Sequence, residues 1–366
     1  MDSAHAIPTD PASSPTRSSL PNAVDLSHHL SELARNRTPS SLKDLYRYAA
    51  IPGMIPMAGG VPSPEYFPFE SLSAEILPVD HVSLDNPRVP KKSSASLIDW
   101  LFGSKKTSKI SVPKYVHDAK PTDLQLATSL QYQAATGPPA LPLFLRKYVE
   151  TVYKPAYADW DVLLNVGNTD GWSKIVGMLM EKGDAVLVEE WTYPGAENAF
   201  LPLGCEMVAV KMDGEGVLPS HMDKVLGEWD EEKRGKKRPH VFYTIPTGQN
   251  PTGATMQEKR KKEVYEVCRK YGMYPPYLTP KSPRLQLDVI ICEDEPYYCL
   301  FAGQWTPQNH QSQQSVLARR QEELEKSEGK EGNEAFLKAL PPTFLTVDYE
   351  GRVIRMDVSN PPSRLY

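Results

Sequence analysis

Two segments of the chain combine residues that could bind an anionic, planar ligand. Residues 167–171 (Gly-Asn-Thr-Asp-Gly) stand directly before a predicted helix, where free backbone N–H groups and the positive end of the helix dipole attract anions such as phosphate. An ordinary capped helix start is the alternative for this segment taken by itself. Residues 189–195 (Glu-Glu-Trp-Thr-Tyr-Pro-Gly) follow a predicted strand and could present an aromatic face to a ring, although simple packing of these aromatics is the alternative.

Two further segments carry polar groups at the ends of predicted strands. Residues 246–253 (Pro-Thr-Gly-Gln-Asn-Pro-Thr-Gly) predict a rigid turn that holds Asn250 with its amide free to donate a hydrogen bond. Residues 293–298 (Glu-Asp-Glu-Pro-Tyr-Tyr) place carboxylates at a strand end and a tyrosine three positions after Asp294, so that both could meet one ligand. Carboxylates can also bind a metal ion, but this segment contains no His or Cys, and we expect no metal site there.

The elements that must position these segments alternate between strand and helix. Short apolar runs rich in β-branched residues predict buried strands at residues 162–166, 185–188, 207–210, 241–245, 289–292, 344–347 and 353–356. Apolar residues at three- and four-residue spacing predict helices after residues 168–170, which offer N-cap side chains, and after the capping-box pair Thr255 and Glu258. The alternation predicts an α/β fold with a mostly parallel open sheet, whose ligands bind at the carboxyl ends of the strands.

Composition limits the class of protein. The chain has 366 residues, 40% of them hydrophobic, which is enough for a substantial core, and a formal net charge of −5. This charge does not indicate a basic surface for binding nucleic acid. No run of apolar residues approaches the roughly 18 that a membrane span requires. The four cysteines form no CxxC pair and have no His at ligand spacing, so we expect no zinc site, reduced thiols and a cytoplasmic location. A mitochondrial location stays open, because the serine-rich N-terminal stretch also carries arginines.

Proline-rich and polar stretches divide the chain into predicted parts. Residues 1–22 are rich in Ser, Pro and Ala and are predicted to be disordered. Residues 23–122 are predicted to form an N-terminal segment whose second half, from residue 78, is a long excursion. Residues 123–357 hold the strand–helix alternation, which a polar excursion at 303–335 interrupts. The chain therefore predicts one large α/β domain preceded by an irregular arm.

Six segments resemble motifs of the fold-type I pyridoxal-phosphate (PLP) enzymes, and they follow one another along the chain in the same order as in that family. They are residues 53–62, 130–132, 167–170, 246–253, 293–298 and 351–357. Specifically, they resemble class I/II aminotransferases of the fungal aromatic amino acid and 2-aminoadipate (kynurenine) branch. The resemblance implies a fold-type I large domain at residues 123–357, the cofactor pyridoxal 5'-phosphate, amino acid and 2-oxo acid substrates, and a homodimer without nucleic acid or membrane partners.

The resemblance also implies roles for residues near the cofactor phosphate and the substrate. Asn168 and Thr169 would hold the phosphate, using the amides of the helix start. Tyr193 would stack on the pyridine ring. Tyr132 would reach the phosphate of the neighbouring subunit, because the family builds its sites across a two-fold interface. Gly60 would lie where the N-terminal segment closes over the substrate.

Three more roles concern the edge of the cofactor ring. The resemblance implies that Asn250 and Tyr297 hydrogen-bond the ring hydroxyl. Asp294 would pair with the protonated pyridine nitrogen and keep it cationic, so that the ring can accept electrons.

Two segments depart from the family pattern. After Asp357 the family continues into a Ser-Phe-Ser-Lys loop with the Schiff-base lysine and then a small C-terminal domain, whereas residues 358–366 are an unrelated tail. The resemblance therefore implies a chain truncated before its catalytic lysine, with no catalytic residue and no activity in this form. Residues 272–287 are an insertion with four prolines, which must loop out. Translation through retained introns would explain both departures.

Three functions remain open from the sequence. The first is PLP-dependent transamination of aromatic or 2-aminoadipate-type amino acids. The second is a non-catalytic PLP-fold pseudoenzyme that dimerises with an intact relative. The third is another PLP reaction, such as C–S lysis or decarboxylation, because one fold supports several reactions. A PLP-fold transcriptional regulator is disfavoured, since no helix-turn-helix pattern precedes residue 40.

Overall fold

The computed structural model describes residues 19–38, 40, 48, 51–55, 57, 60–76, 108–120, 122–132, 136–138, 140–271, 288–301, 337 and 340–358. The helices are α1 Glu32–Arg35, α2 Leu126–Ser129, α3 Ala140–Val152, α4 Asn168–Leu179, α5 Pro194–Phe200, α6 Pro219–Gly227, α7 Glu231–Arg234 and α8 Glu258–Lys270. The strands are β1 Ser71–Ile76, β2 Ser108–Pro113, β3 Ala185–Glu189, β4 Glu206–Val210, β5 Met212–Asp213, β6 Gly216–Val217, β7 Val241–Thr244, β8 Ile290–Glu295 and β9 Val353–Asp357.

A five-stranded sheet forms the centre of one of two compact units. This unit, the sheet unit, consists of Met1–Gly60, Arg146–Tyr298 and Pro341–Ser359. The strand order is β4-β3-β7-β8-β9, and each neighbouring pair is parallel. The predicted parallel α/β sheet is therefore confirmed. Because all five strands run in the same direction, their carboxyl ends meet at one edge, where a ligand site is expected.

Five of the predicted strands are present within a few residues of their expected bounds, and they are the five strands of this sheet. The largest difference is at β8, which continues to Glu295 instead of ending at Cys292. Hydrophobicity alone predicts an earlier end, because Glu293 and Glu295 are acidic. Both glutamates are nevertheless fully buried, since a cationic side chain faces them on the same side of the sheet.

Two predicted strands are wrong. Residues 162–166 are not a strand, and local side chains accept from the backbone N–H groups at both ends of the segment: Val162 N donates to Asp161 Oδ1 (2.7 Å) and Val166 N donates to Asp170 Oδ2 (3.1 Å). In the predicted strand at 344–347, Phe344–Thr346 form a 3-10 turn. The Phe344 N–H donates to the buried Glu293 carboxylate at 3.0 Å, so a side chain satisfies it where a neighbouring strand would otherwise do so.

The starts of two helices also differ from their predicted caps. The N-cap of α4 is Gly167, with φ +109°, and no side chain caps it. Gln257 is the N-cap of α8, so the predicted capping box of Thr255 and Glu258 is wrong. Thr255 Oγ1 instead accepts a hydrogen bond from Gly248 N at 3.0 Å and braces the preceding turn.

Amphipathic helices pack against the sheet. The predicted apolar stripe of α4 is confirmed, since its members are all buried: Trp172, Ile175, Val176, Leu179 and, at the helix end, Met180. They pack with Val186, Val188, Val241, Tyr243, Ile290 and Cys292 on one face. The predicted apolar stripe of α8 was Val264, Val267, Cys268 and Tyr271, of which Val264 and Cys268 are buried and Val267 and Tyr271 are half-buried. Each fully buried apolar side chain of this kind contributes about 1.5–3 kcal/mol to folding.

The second unit consists of Val61–Leu145, Cys299–Leu340 and Asn360–Tyr366. Its main described feature is the antiparallel hairpin of β1 and β2, in which Ser71 pairs with Pro113 and Ile76 with Ser108. Lys114 follows β2 and is buried, with Nζ donating to the backbone oxygens of Glu65 (3.1 Å) and Phe67 (3.2 Å).

Several predicted segments lie outside the described residues. They are residues 1–18 of the predicted disordered N-terminus, 77–107 of the excursion before β2, the insertion at 272–287, the polar excursion at 302–336 and the tail at 359–366. None of the helices in the described part of the chain has the length and apolar character needed to cross a membrane.

Candidate functional site

Asp294 is the central polar residue at the carboxyl edge of the sheet. It is the fifth residue of β8, with only 7% of its surface exposed. Asn168 Nδ2, from the first residue of α4, donates to its Oδ1 at 2.6 Å. Burial raises the pKa of Asp294, and the hydrogen bonds that it accepts only partly offset this effect. A buried carboxylate of this kind is suited to a cationic ligand atom.

Tyr243 completes the environment of this carboxylate, and sequence reasoning missed it. Its hydroxyl donates to Asp294 Oδ2 at 2.5 Å from the neighbouring strand β7. Within the strand, Tyr243 lies beside Cys292, two residues before Asp294, so the two side chains share a face of the sheet. Only the alternation of side chains along predicted adjacent strands could have indicated this contact.

The turn after β7 is held rigid by Gln249. Its side-chain Nε2 donates to Glu189 Oε2 at 2.9 Å, at the end of β3. Its Oε1 accepts from both the N–H (2.9 Å) and the hydroxyl (2.6 Å) of Thr252. These bonds fix the residues on both sides of Asn250, so the predicted rigid turn is present.

Asn250 and Tyr297 meet at the same edge, as the resemblance implied for two residues that share one ligand group. Asn250 Nδ2 donates to the Tyr297 hydroxyl at 3.4 Å. Tyr297 lies two residues after β8, and its Cβ would be 3.6 Å from a Cβ placed on Gly248. The pair therefore presents an amide and a phenol at the carboxyl edge of the sheet, with both groups able to bond an additional oxygen.

The start of α4 offers backbone donors. Gly167, the N-cap, has no side chain that could cap the helix. The first helical hydrogen bond runs from Gly171 N to Gly167 O at 3.0 Å. The amides of Asn168 and Thr169 precede it. The Asn168 side chain is turned to Asp294, and its Oδ1 is buried without a hydrogen-bond partner among the described residues. A helix start whose first amides have no partner among the described residues can bind an anion.

Tyr193 stands at the N-cap of α5, after β3. It is 38% exposed, and it lies close enough to Tyr243 to contribute to the raised pKa of that phenol. Its ring covers Gly195, where an added Cβ would come within 2.4 Å of Tyr193 Cε1. The glycine therefore permits the present position of the ring, which leaves one aromatic surface accessible to a ligand.

The remaining two predicted site residues are Tyr132 and Gly60. Tyr132 follows α2 in the second unit and is 67% exposed. Gly60 has φ +59°, and no atom lies within 4 Å of a Cβ placed on it. The sequence singled out both through family resemblance, and their roles stay predictions.

A buried ionic cluster lies under the site, on the opposite face of β8 and β9. Arg355 Nη1 is 3.1 Å from Glu293 Oε2, and its Nη2 is 2.9 Å from Asp357 Oδ2. The rings of Tyr153 and Tyr298 lie 4.0 and 4.8 Å from the guanidinium carbon. Burial lowers the pKa of Arg355, but the neighbouring carboxylates outweigh it and hold that pKa well above its ordinary value.

The residues at the carboxyl edge fit pyridoxal phosphate, the cofactor that the sequence resemblance implies. A protonated ring nitrogen requires a buried carboxylate, which Asp294 provides, and a ring hydroxyl requires polar partners such as Asn250 and Tyr297. The free amides of α4 suit a phosphate, and the unpartnered Oδ1 of Asn168 can accept an additional donor. The donor set therefore matches the chemistry of this group.

Comparisons with known proteins identify aminotransferases as similar chains. The chain is 36% identical over 335 residues to an aromatic amino acid aminotransferase of Schizosaccharomyces pombe, an alignment that covers 91% of this chain and 60% of the relative. It is 34% identical to an L-tyrosine:2-oxoglutarate aminotransferase of Tapinella panuoides, covering 92% and 55% of the two chains. The crystal structure of aminotransferase Aro8 from Candida albicans superposes with a TM-score of 0.72 at 32% identity, covering 93% and 62%.

A family model supports the same assignment. Residues 101–276, which include α4, β3, β7 and the turn with Asn250, match the model of aminotransferase class I and II. The chain spans about 60% of the length of the S. pombe relative. In the matched segment, the related sequences and the shared fold, the chain is similar to the class I and II aminotransferases.

Proposed function

We propose that this protein carries the cofactor-binding part of an enzyme that transfers an amino group between an aromatic or 2-aminoadipate-type amino acid and a 2-oxo acid, with pyridoxal 5'-phosphate as its cofactor. The functions of the relatives from S. pombe and Tapinella panuoides support an aromatic donor and 2-oxoglutarate as acceptor. The 2-aminoadipate alternative rests on the sequence resemblance. A homodimer is part of the proposal, with the exposed Tyr132 of each subunit serving the phosphate site of the other.

One observation carries this proposal. Asp294 is a buried carboxylate at the carboxyl end of a parallel strand, and two donors from different elements, Asn168 and Tyr243, hold it in place. Burial of a carboxylate costs free energy unless a cationic partner compensates for the lost hydration. We therefore expect Asp294 to bind a ligand with a protonated nitrogen.

The residues of the site would act by binding and orientation. When bound, the cofactor supplies a ring that withdraws electrons from the α-carbon of the amino acid. Asp294 would keep the proton on the ring nitrogen, because the ionised carboxylate stabilises the cationic form. Asn250 and Tyr297 would orient the ring through its hydroxyl. Tyr193 would cover one face of the ring and exclude water from it.

Lysine chemistry provides the first test. Two described lysines of the sheet unit are already engaged: Lys174 pairs with Asp170, and the fully buried Lys261 donates to Pro342 O (2.7 Å) and lies near Glu293 on the other face of the sheet. Residues 353–366 contain no lysine. We therefore expect the 366-residue chain to bind the cofactor reversibly, without a stoichiometric covalent adduct and without turnover of phenylalanine or 2-aminoadipate.

The measurement combines borohydride reduction after incubation with the cofactor, mass spectrometry of the peptides, and an assay with 2-oxoglutarate. The S. pombe relative, treated in parallel, should show both labelling and turnover. A single fully labelled lysine in this chain, together with turnover, would show that one of its own lysines completes the site.

Gly195 provides a test of ring stacking. Gly195→Ala should displace the Tyr193 ring, because the new Cβ would lie 2.4 Å from Cε1. A stacked aromatic contact contributes roughly 0.5–1.5 kcal/mol, so we expect cofactor affinity to fall by about 2- to 10-fold. The readout is a titration with the cofactor followed by its absorbance.

Gly177→Ala is the matched control for this substitution. Gly177 also lies in a helix, α4, but no atom is within 4 Å of a Cβ placed there. Its replacement should leave cofactor affinity unchanged and add up to about 1 kcal/mol of stability. Equal affinities of the Gly195→Ala and Gly177→Ala variants would remove Tyr193 from the site.

A further inference from the structure

A second cluster of ligating side chains lies at the amino end of the sheet. His28 and His29 are consecutive residues of the 3-10 turn Ser27–His29, and Asp288 stands two residues before β8. His28 Nε2 is 3.1 Å and His29 Nε2 is 2.9 Å from the same atom, Asp288 Oδ1. Asp288 and Asp294 are six residues apart along an extended segment, about 20 Å, so this cluster is separate from the candidate cofactor site.

The N-terminal segment that carries the two histidines is fixed on the sheet unit. Val24 N donates to Glu350 O at 2.8 Å, and Ser31 N donates to Met178 O at 2.7 Å. The Ser31 hydroxyl also donates to Gly177 O at 2.7 Å. These bonds hold the backbone on both sides of the histidines. The two imidazoles therefore face Asp288 from a preorganised turn.

The geometry is close to that of a transition-metal site. His28 Nε2, His29 Nε2 and the Asp288 carboxylate oxygen all lie within 4.8 Å of one another. In a tetrahedral zinc site with bonds of roughly 2.0–2.1 Å, the ligand atoms are about 3.3 Å apart. Small shifts of the three side chains would bring their ligand atoms to this spacing. Two imidazoles and one carboxylate are a donor set that zinc accepts in proteins, with the fourth position left for water.

The surroundings orient the ligands. The ring of His240 stacks on His29, with centroids 4.8 Å apart and planes at 2°, and its Nε2 is 2.8 Å from Leu179 O. Arg352 Nη1 lies 3.8 Å from Asp288 Oδ2, the oxygen that the histidines do not contact. The charge of Arg352 is itself paired with Glu350. These contacts leave Oδ1 directed at the two imidazoles.

We propose that His28, His29 and Asp288 bind one divalent cation of the zinc class, which clamps the N-terminal segment onto the start of β8. The site joins residues that are 260 positions apart in the chain. Binding of the ion to the folded state alone would stabilise that state by linkage. The proposal is independent of the cofactor site and of the reaction.

The test is a calorimetric titration of the untagged 366-residue chain with zinc chloride after removal of metals by EDTA. We expect one ion per chain and a rise in the melting temperature with zinc. The double variant His28→Gln/His29→Gln should bind at least about 100-fold more weakly, because even the loss of an outer-shell partner costs 10- to 100-fold. If the double variant does not fold, His28→Gln alone, at the more exposed position, should show the same loss.

His117→Gln is the matched control. His117 also pairs with an aspartate, Asp118 (2.8 Å), but both side chains are exposed. This variant should bind zinc like the unsubstituted chain. The absence of one-to-one binding, or equal affinity of His28→Gln and the unsubstituted chain, would show that the cluster is a set of hydrogen bonds only and would overturn the proposal. Unchanged cofactor affinity in the histidine variants would confirm that the two sites are independent.

Discussion

Replacement of Arg355 by methionine should lower the free energy of unfolding by about 3–5 kcal/mol, because it removes the one arginine from a buried group of carboxylates. The guanidinium lies 3.1 Å from Glu293 Oε2 and 3.9 Å from Glu295 Oε1, and both glutamates are fully buried. Methionine fills a similar space but leaves these acids without their closest cation. The cost is then dominated by uncompensated buried charge.

Chemical denaturation followed by circular dichroism measures this effect. Lys262→Met is the control, since Lys262 forms an exposed pair with Glu258 on α8 and such surface pairs contribute about 0–1 kcal/mol. A loss of stability in Arg355→Met no larger than in Lys262→Met would mean that the buried acids are neutral in the folded protein. The substitution is on the face of the sheet opposite Asp294, so any protein that folds should retain its cofactor site.

Replacement of Asp294 by alanine should weaken binding of pyridoxal phosphate by roughly 10- to 150-fold, equivalent to 1.5–3 kcal/mol for a charge-assisted contact. The change removes the proposed partner of the protonated ring nitrogen. It also leaves the donors of Asn168 and Tyr243 without their acceptor. Asp294→Asn keeps an acceptor for one of them and separates the two effects.

The pH dependence of binding gives a second readout. Because burial raises the pKa of Asp294, the unsubstituted protein should lose affinity for the cofactor as the pH falls toward that raised value and the carboxylate takes up a proton. The variant Asp294→Asn should lack this dependence. The control is Asp223→Asn, at a half-buried position paired with Lys270. Affinity in Asp294→Ala equal to that of the control variant would place the ring nitrogen elsewhere.

The sequence by itself determined the parallel sheet and the segments that carry the site. Short apolar runs between polar turns specified β3, β4, β7, β8 and β9, because a strand buried on both faces needs apolar residues throughout. The polar segments after three of them pointed to one edge, since parallel strands share a direction. The stripe of α4 followed from helical periodicity, and its residues are buried as that periodicity requires.

Local patterns did not separate a strand from other apolar segments. Residues 162–166 and 344–347 have strand-like composition, yet side chains satisfy their backbone groups and no ladder forms. Hydrophobicity likewise could not predict the burial of Glu293, because that burial depends on Arg355, a neighbour from another strand.

Only the tertiary structure decided which polar groups meet. Asn168 and Asp294 are 126 residues apart, and the contact of Tyr243 with Asp294 depends on the order and register of β7 and β8. His28 and Asp288 are 260 residues apart, so no spacing rule relates them. Sequence patterns indicate which residues form each strand or helix. Contacts between elements depend on how those elements pack, and that packing places a buried carboxylate beside its donors.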